Sequence, residues 1–108
     1  MRYILREFPT YSLPPEALIE VRNLSFPEAA RWAHTGDGPI ANLINPRSSI
    51  AHLSRSFAPP MKRDARPVKL CEGDEILILA ASRSSEPKST GDLRYTWVRV
   101  RTISGEVN

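Results

Sequence analysis

The segment Glu75-Ile-Leu-Ile-Leu-Ala-Ala81 decides the predicted fold. Its positions 76 to 80 are apolar without a break, whereas a strand with one face in water alternates apolar and polar residues. An uninterrupted apolar strand needs cover on both faces of its sheet. We therefore predict that residues 75–81 form the central strand.

Further strand segments lie on both sides of this segment in the sequence. Apolar or alternating runs predict strands over residues 2–8, 17–22, 40–44, 68–71 and 94–103. The turn signal Glu72-Gly73-Asp74 separates residues 68–71 from the central strand. A hairpin is therefore expected there.

Two helices are predicted between these strands. Ser25 and Glu28 have the Ser-x-x-Glu spacing of a capping box, and the helix that follows should end near Thr35, before a Gly-Asp-Gly-Pro sequence. The second helix should open at Asn45-Pro46. Its apolar face would consist of residues spaced three and four apart, Ile50, Leu53 and Phe57.

These elements predict an α/β or α+β fold, with a mixed sheet of about five strands and two main helices. Residues 1–108 would form a single small domain, in which residues 104–108 are expected to be a flexible tail. A domain of 108 residues buries a smaller share of its surface than a large domain does. Because a homodimer would increase that share, we expect this chain to dimerise.

The composition excludes several classes of protein. No apolar run approaches the roughly 18 residues of a membrane span, and the N-terminus lacks the features of a signal peptide, so we expect a cytoplasmic protein without a membrane partner. One cysteine and two histidines give no spaced zinc pattern, and neither a metal nor a cofactor is expected. Arginine supplies 12 of the 15 basic residues. That bias favours an anionic partner, although a GC-rich genome would also encode it.

Polar and charged side chains follow two of the predicted strands. Arg47, Ser48 and Ser49 follow the third strand, and Arg83 and Glu86 follow the central one. Ligands of open α/β sheets gather at the carboxyl ends of strands, so the two groups are candidates for one phosphate-binding site. The alternatives are a plain helix cap for the serines and a solvated ion pair for Arg83 and Glu86.

Two segments together resemble a small viral family of anti-CRISPR ring nucleases and its archaeal-virus relatives. They are "ANLINPRSSIAHL" (41–53) and "RPVKLCEGDEILILAASRSSE" (66–86). In that family a strand leads through Gly-His-x-Ser-Thr into a helix, and a Glu-Gly-Asp-Glu hairpin leads along a buried strand to Arg-x-x-Glu. Ser48-Ser49 stand where the family has Ser-Thr. The hairpin is matched by Glu72-Gly-Asp-Glu75, and the last motif by Arg83 and Glu86.

The resemblance implies a homodimer that binds cyclic tetra-adenylate, the second messenger of type III CRISPR defence, across its two-fold axis. It also implies metal-independent cleavage, in which a ribose 2′-hydroxyl attacks the adjacent phosphorus. Arg83 would hold the phosphate, and Glu86 would orient or deprotonate groups near it. Ser48 and Ser49 would cradle a second phosphate edge, and Arg47 would add positive charge.

The chain departs from the family at Pro46, where the family carries its general-acid histidine. Proline cannot transfer a proton, and general acid catalysis contributes roughly 10² to 10⁴-fold. His52 or His34 is a candidate substitute acid, although either is also typical of an ordinary surface residue. The sequence leaves two options open, a slowed ring nuclease (a metal-independent phosphodiesterase) or a sponge that only binds the ring.

A small dimeric DNA-binding transcriptional regulator is the alternative interpretation. The arginines of the last strand, Arg94, Arg99 and Arg101, would then contact the phosphates of duplex DNA, and affinity would fall steeply with salt. Only the pairing of the two sequence motifs favours the ring nuclease over this regulator. If the protein is viral, its expected location is the cytoplasm of the host cell.

Overall fold

A computed structural model describes residues 1–13, 16–36, 38–59, 68–83 and 86–102. The strands in these ranges are β1 (Arg2–Leu5), β2 (Leu18–Leu24), β3 (Ile40–Asn42), β4 (Glu75–Ala81) and β5 (Leu93–Thr102), and the α-helices are α1 (Phe26–Thr35) and α2 (Ala51–Ser54). Short 3₁₀ turns cover Thr10–Ser12 and Thr90–Asp92. The predicted tail, residues 104–108, lies outside the described residues.

β4 lies at the centre of the sheet, as its apolar sequence predicts. The strand order is β2-β5-β4-β1-β3, in which β1 pairs in parallel with both β3 and β4. β5 is antiparallel to both β4 and β2, so β5 runs against the other four strands. The mixed five-stranded sheet with two helices is confirmed, and the fold class is α+β. The homodimer stays a prediction.

The two faces of β4 are covered by different kinds of structure. Leu77 belongs to the core beneath the helices, and its neighbour Ile76 belongs to a second core on the opposite face. Beneath the helices, the rings of Phe26, Phe57 and Tyr95 pack with centroids 5.6 to 5.9 Å apart. The opposite face is covered by residues outside the helices, including Phe8, Leu13, Val68 and Leu70.

The first helix begins where the capping box predicts. Ser25 Oγ accepts the backbone N–H of Glu28 at 3.3 Å, and the Glu28 carboxylate accepts the backbone N–H of Ser25 at 2.9 Å. The hydrogen bond from the Ser25 backbone is the main reason that the pKa of Glu28 lies below its ordinary value. α1 then ends at Thr35, also as predicted.

The second helix is shorter than predicted and starts later. Only Ala51–Ser54 is helical, instead of a helix that opens at Asn45-Pro46. Asn45 forms a turn there, because its carbonyl accepts the N–H of Ser48 at 2.8 Å and its side-chain oxygen accepts the N–H of Arg47 at 3.0 Å. The three apolar positions assigned to this helix are nevertheless buried: Ile50, Leu53 and Phe57.

The predicted hairpin around Glu72-Gly73-Asp74 is wrong. Gly73 does form a turn, with a φ of 86°, but residues 68–71 are not a strand. β4 pairs with β1 on one side and with β5 on the other, so no edge of β4 remains for a third strand. Cys71 is accordingly exposed.

A buried arginine connects the start of β1 to the end of α1. Arg2 is 6% exposed, and its guanidinium donates to the carbonyl oxygens of Trp32 at 2.7 Å and Gly38 at 3.0 Å. It also lies over the Trp32 ring, 5.2 Å from the centroid. A Cβ at Gly36 would overlap the guanidinium. Glycine therefore allows the close approach that lets Arg2 bind the end of the helix.

Arg2→Met should lower the free energy of unfolding by about 2 to 4 kcal/mol, because two carbonyl groups lose a charged donor. Methionine keeps much of the apolar volume, so the change reports on the hydrogen bonds. Urea denaturation followed by circular dichroism measures it. Arg101→Met is the control, because Arg101 is exposed and should change stability by less than about 0.5 kcal/mol. Equal effects of the two substitutions would contradict this role for Arg2.

Candidate functional site

The carboxyl ends of β1, β3 and β4 meet at one edge of the sheet, because these strands are parallel. We call this edge the carboxyl edge. Leu5, at the end of β1, lies opposite Ile78, and β4 continues from there to Ala81, a further rise of about 10 Å. Both predicted groups, residues 47–49 and Arg83 with Glu86, follow strands that end at this edge. The structure therefore places them on the same side of the molecule.

A buried polar network shapes the turn after β3. The side-chain amide of Asn42, which is fully buried, donates to Ser54 Oγ at 2.9 Å and to the Ala58 carbonyl at 2.6 Å. Its oxygen accepts the N–H of Ile44 at 3.2 Å, and Ser54 donates in turn to the Ala51 carbonyl at 2.7 Å. This network holds α2 against the end of β3 and fixes where the intervening turn projects.

Ser48 is held in this turn from both sides. Its Oγ accepts a hydrogen bond from Arg6 Nη1 at 3.1 Å. The backbone N–H groups of Arg47 and Ser48 are already bound to Asn45, and α2 has only four residues. These two N–H groups are therefore not free to bind a phosphate, and the role of Ser48 and Ser49 at a phosphate edge stays a prediction. What the turn presents outward is side chains, with Arg47 and Ser49 exposed and Ser48 half-buried.

Hydrogen bonds close the base of the loop that carries Arg83 and Glu86. The N–H and Oγ of Ser82 both donate to the Asp92 carbonyl, at 2.9 and 2.8 Å. The Asp92 carboxylate accepts the N–H of Lys88 at 3.0 Å. This bond is the main cause that holds the pKa of Asp92 below its ordinary value, and the charge of Arg83 contributes a smaller part. Arg83 and Glu86 are both exposed.

Tyr95 fastens the same loop from the core. Its hydroxyl donates to the Thr90 carbonyl at 2.6 Å. Burial raises the pKa of Tyr95 to about 12, against the opposing effect of the hydrogen bond to Thr90, so the hydroxyl keeps its proton at neutral pH. The loop is thus anchored near both Asp92 and Thr90, while Arg83 stays in solvent.

Three exposed arginines follow strands that end at the carboxyl edge: Arg6, Arg47 and Arg83. Among the residues that the structure describes, no carboxylate lies within ion-pair distance of their guanidinium groups. Unpaired arginines on one edge of a sheet favour the binding of anions such as phosphates. Sequence reasoning missed Arg6, although its position directly after the first strand was the signal that could have found it.

The two histidines lie at different ends of the molecule. α1 runs back from the carboxyl end of β2 to the start of β3, and Arg2 binds its last turn. His34 is therefore exposed at the opposite edge of the same chain, about 13 Å away along β1. His52 is exposed on α2, directly after the turn that contains Pro46.

Comparison with solved structures finds the same fold in a viral protein. The chain is similar to B116 of Sulfolobus turreted icosahedral virus, with a TM-score of 0.65. The superposition covers 91% of this chain and 97% of that chain. The two chains share one fold. Their sequences are 18% identical, so the likeness extends no further than the fold. No protein-family model and no curated protein matches the sequence.

The arginines assigned to DNA in the alternative interpretation do not form one row. Along β5, Tyr95 faces the core beneath the helices and Val98 faces the opposite core. Alternation along a strand then puts Arg99 and Arg101 on the side of Tyr95, and Arg94 on the side of Val98. Arg99 and Arg101 therefore share a face of the sheet that Arg94 does not.

The described residues contain no helix long and apolar enough to cross a membrane. They also contain no group of three or more His, Cys, Asp or Glu side chains placed to hold a metal ion.

Asn42→Ala should lower the free energy of unfolding by about 2 to 3 kcal/mol, because the Ala58 carbonyl and the Ile44 N–H lose their buried partner. The turn after β3 should also loosen, which faster amide hydrogen exchange at residues 43–50 would report. Asn23→Ala is the matched control, since Asn23 is exposed on β2. Unchanged exchange in a destabilised Asn42→Ala protein would show that the network does not position the turn.

Proposed function

We propose that this protein binds cyclic tetra-adenylate at the carboxyl edge and dampens type III CRISPR signalling, as a slow ring nuclease or as a sponge. The observation that carries the proposal is the set of three exposed arginines, Arg6, Arg47 and Arg83, none of which has a carboxylate within ion-pair distance among the described residues. Ser48 lies beside Arg6. The resemblance of the Ser48-Ser49 and Arg83-x-x-Glu86 motifs to viral ring nucleases supports this ligand class. The fold shared with a virus protein agrees with a viral origin, which would place the protein in the cytoplasm of an infected cell.

The size and symmetry of the ligand favour two copies of the chain around one ring. A cyclic tetranucleotide carries four phosphates, whereas the carboxyl edge of one chain presents three exposed arginines, Arg6, Arg47 and Arg83. A homodimer with its two carboxyl edges on the same side would double the positive charge that faces the ligand. It would also match the two-fold symmetry of the ring.

Each residue of the carboxyl edge has a role in this proposal. Arg83 holds the phosphate that is attacked, and Arg6 and Arg47 hold neighbouring phosphates by charge-assisted hydrogen bonds. Glu86 orients or deprotonates the ribose 2′-hydroxyl as its oxygen attacks phosphorus. Ser48 accepts a bond from Arg6 and still has a hydroxyl proton to donate to a phosphate oxygen.

Pro46 makes cleavage the weaker half of the proposed activity. The 5′-oxygen that leaves needs a proton, and an arginine is a poor donor because its pKa is too high. His52 is the imidazole that follows the turn on α2. Without a general acid the rate would fall by roughly 10² to 10⁴-fold, while the arginines would still hold the phosphates of the intact ring.

Arg83→Ala should weaken binding of cyclic tetra-adenylate by roughly 10 to 100-fold, because a charge-assisted hydrogen bond contributes about 1.5 to 3 kcal/mol. Isothermal titration calorimetry at fixed salt measures the affinity, and Arg94→Ala provides the control, an exposed arginine on β5. Tight binding of duplex DNA with no binding of the ring would overturn the proposal in favour of the regulator. Equal affinities of both variants and the wild type would remove Arg83 from the site.

Pro46→His should raise the single-turnover rate of ring cleavage by roughly 10-fold or more, because it restores an imidazole where the family carries its acid. Loss of proline also lowers the free energy of unfolding by about 0.4 to 1 kcal/mol, because the unfolded chain gains conformational freedom. Thermal unfolding must therefore confirm that the variant is folded. Pro39→His is the control, since Pro39 is exposed at the opposite edge. Fast cleavage by the wild type that His52→Ala abolishes would instead identify His52 as the acid.

A further inference from the structure

Strand β2 forms an open edge of the sheet. Among the described strands it pairs with β5 alone, so alternate residues along its seven positions point their backbone N–H and C=O groups away from the sheet. Three of its apolar side chains are also exposed, Leu18 by 63%, Ile19 by 40% and Val21 by 56%. A long apolar edge strand is a template for pairing with another chain.

We propose that β2 pairs with β2 of a second copy of this chain, in an antiparallel arrangement centred on Val21. The two sheets then form one continuous sheet, with a two-fold axis that passes between the two Val21 residues. Such an interface is isologous, which means that the same surface is used by both copies. The partner is therefore identified by the sequence of β2 itself.

The charges on β2 select this register over the neighbouring ones. Glu20 and Arg22 lie on the same face, next to Arg99 and Trp97 of β5. Because antiparallel pairing keeps each side chain on its face, only registers shifted by two residues are possible. Centring on Val21 places Glu20 opposite Arg22 of the partner subunit, twice by symmetry. Centring on Glu20 or on Arg22 would instead place like charges directly opposite, which is destabilising.

The other face of the strand gains from burial. Val21 pairs with Val98 of β5 on the face away from the helices, and in the proposed register it meets its own counterpart across the axis. β-branched pairs opposite each other stabilise antiparallel sheets. Glu20 also lies 3.7 Å from Arg101 in its own chain, and its second carboxylate oxygen leaves room for Arg22 of the partner subunit.

This interface goes beyond the proposed ring-binding function and does not depend on it. Antiparallel pairing of two β2 strands points the carboxyl edges of the two copies in opposite directions. Two copies joined in this way cannot share one ring, so a ring-binding dimer would use a different surface. The β2 dimer therefore neither requires nor excludes a separate dimer that binds the ring.

Disulfide trapping tests the register directly. Val21→Cys, made together with Cys71→Ser to remove the native thiol, places two thiols opposite each other, with Cβ atoms about 5 Å apart. Oxidised glutathione should convert this protein to a covalent dimer at least about tenfold faster than the matched control, because pairing raises the effective thiol concentration. The control is Asn23→Cys with Cys71→Ser, since the two Asn23 positions lie four residues apart in this register, about 13 Å.

A third variant separates the register from random collisions. Ile19→Cys with Asn23→Cys, in the Cys71→Ser chain, should form dimers as fast as Val21→Cys, because Ile19 faces Asn23 of the partner subunit. Within one chain these positions are about 13 Å apart and cannot bridge each other. Equal rates of covalent dimer formation for Val21→Cys and Asn23→Cys would overturn the proposal. That result would mean that the β2 edge is unoccupied or is used by another protein.

A reversible measurement completes the test. Val21→Lys, made in the otherwise unmodified protein, should separate the copies that are joined through β2. Light scattering at high protein concentration should then show half the molar mass for that fraction. Thermal unfolding checks that the variant is folded, which is expected because Val21 is exposed. A molar mass that does not change with Val21→Lys, at concentrations where Val21→Cys fails to cross-link, would likewise overturn the proposal.

Discussion

The rest of the structure depends on the burial of β4 on both faces and along both edges. Its apolar side chains require a helical layer on one face and packed loops on the other. Its backbone is paired with β1 on one side and β5 on the other. β1 then brings β3 into parallel alignment, and β5 brings β2 to the far edge. One buried strand thus accounts for both the carboxyl edge, with its arginines, and the open edge along β2.

Arg2 and Arg6 show how this arrangement gives two residues of the same type different environments. They lie at the start and just beyond the end of the same short strand. Arg2 is drawn inward because it meets the carbonyl groups at the end of α1, which favour a cation. Arg6 emerges at the carboxyl edge, where its contact is the hydroxyl of Ser48. Arg2 stabilises the fold, whereas the exposed guanidinium of Arg6 is available to an anionic ligand.

The sequence predicts what local interactions determine, and it fails where pairing between distant segments decides. The box formed by Ser25 and Glu28 involves neighbouring residues, so α1 is placed correctly. Residues 68–71 have the composition of a strand, yet β1 already occupies the edge of β4 that they would need. Asn42 lies within an apolar run of the sequence, so its buried hydrogen bonds could not be predicted. They depend on Ser54, which lies twelve residues away. Whether His34 can reach the candidate site likewise depends on which way α1 runs across the sheet.

In the proposed function, the composition of the carboxyl edge favours binding of the ring over its cleavage. Arginines hold phosphates in the intact ring as well as in the transition state, and binding both equally does not raise the rate of the chemical step. Proton transfer to the leaving oxygen belongs to the transition state alone, and Pro46 stands where an imidazole would provide it. A protein of this kind would act in proportion to its amount, because each copy stays occupied by the messenger that it has bound. Its benefit would then come from abundance and affinity, and exposed guanidinium groups can provide the affinity without a general acid.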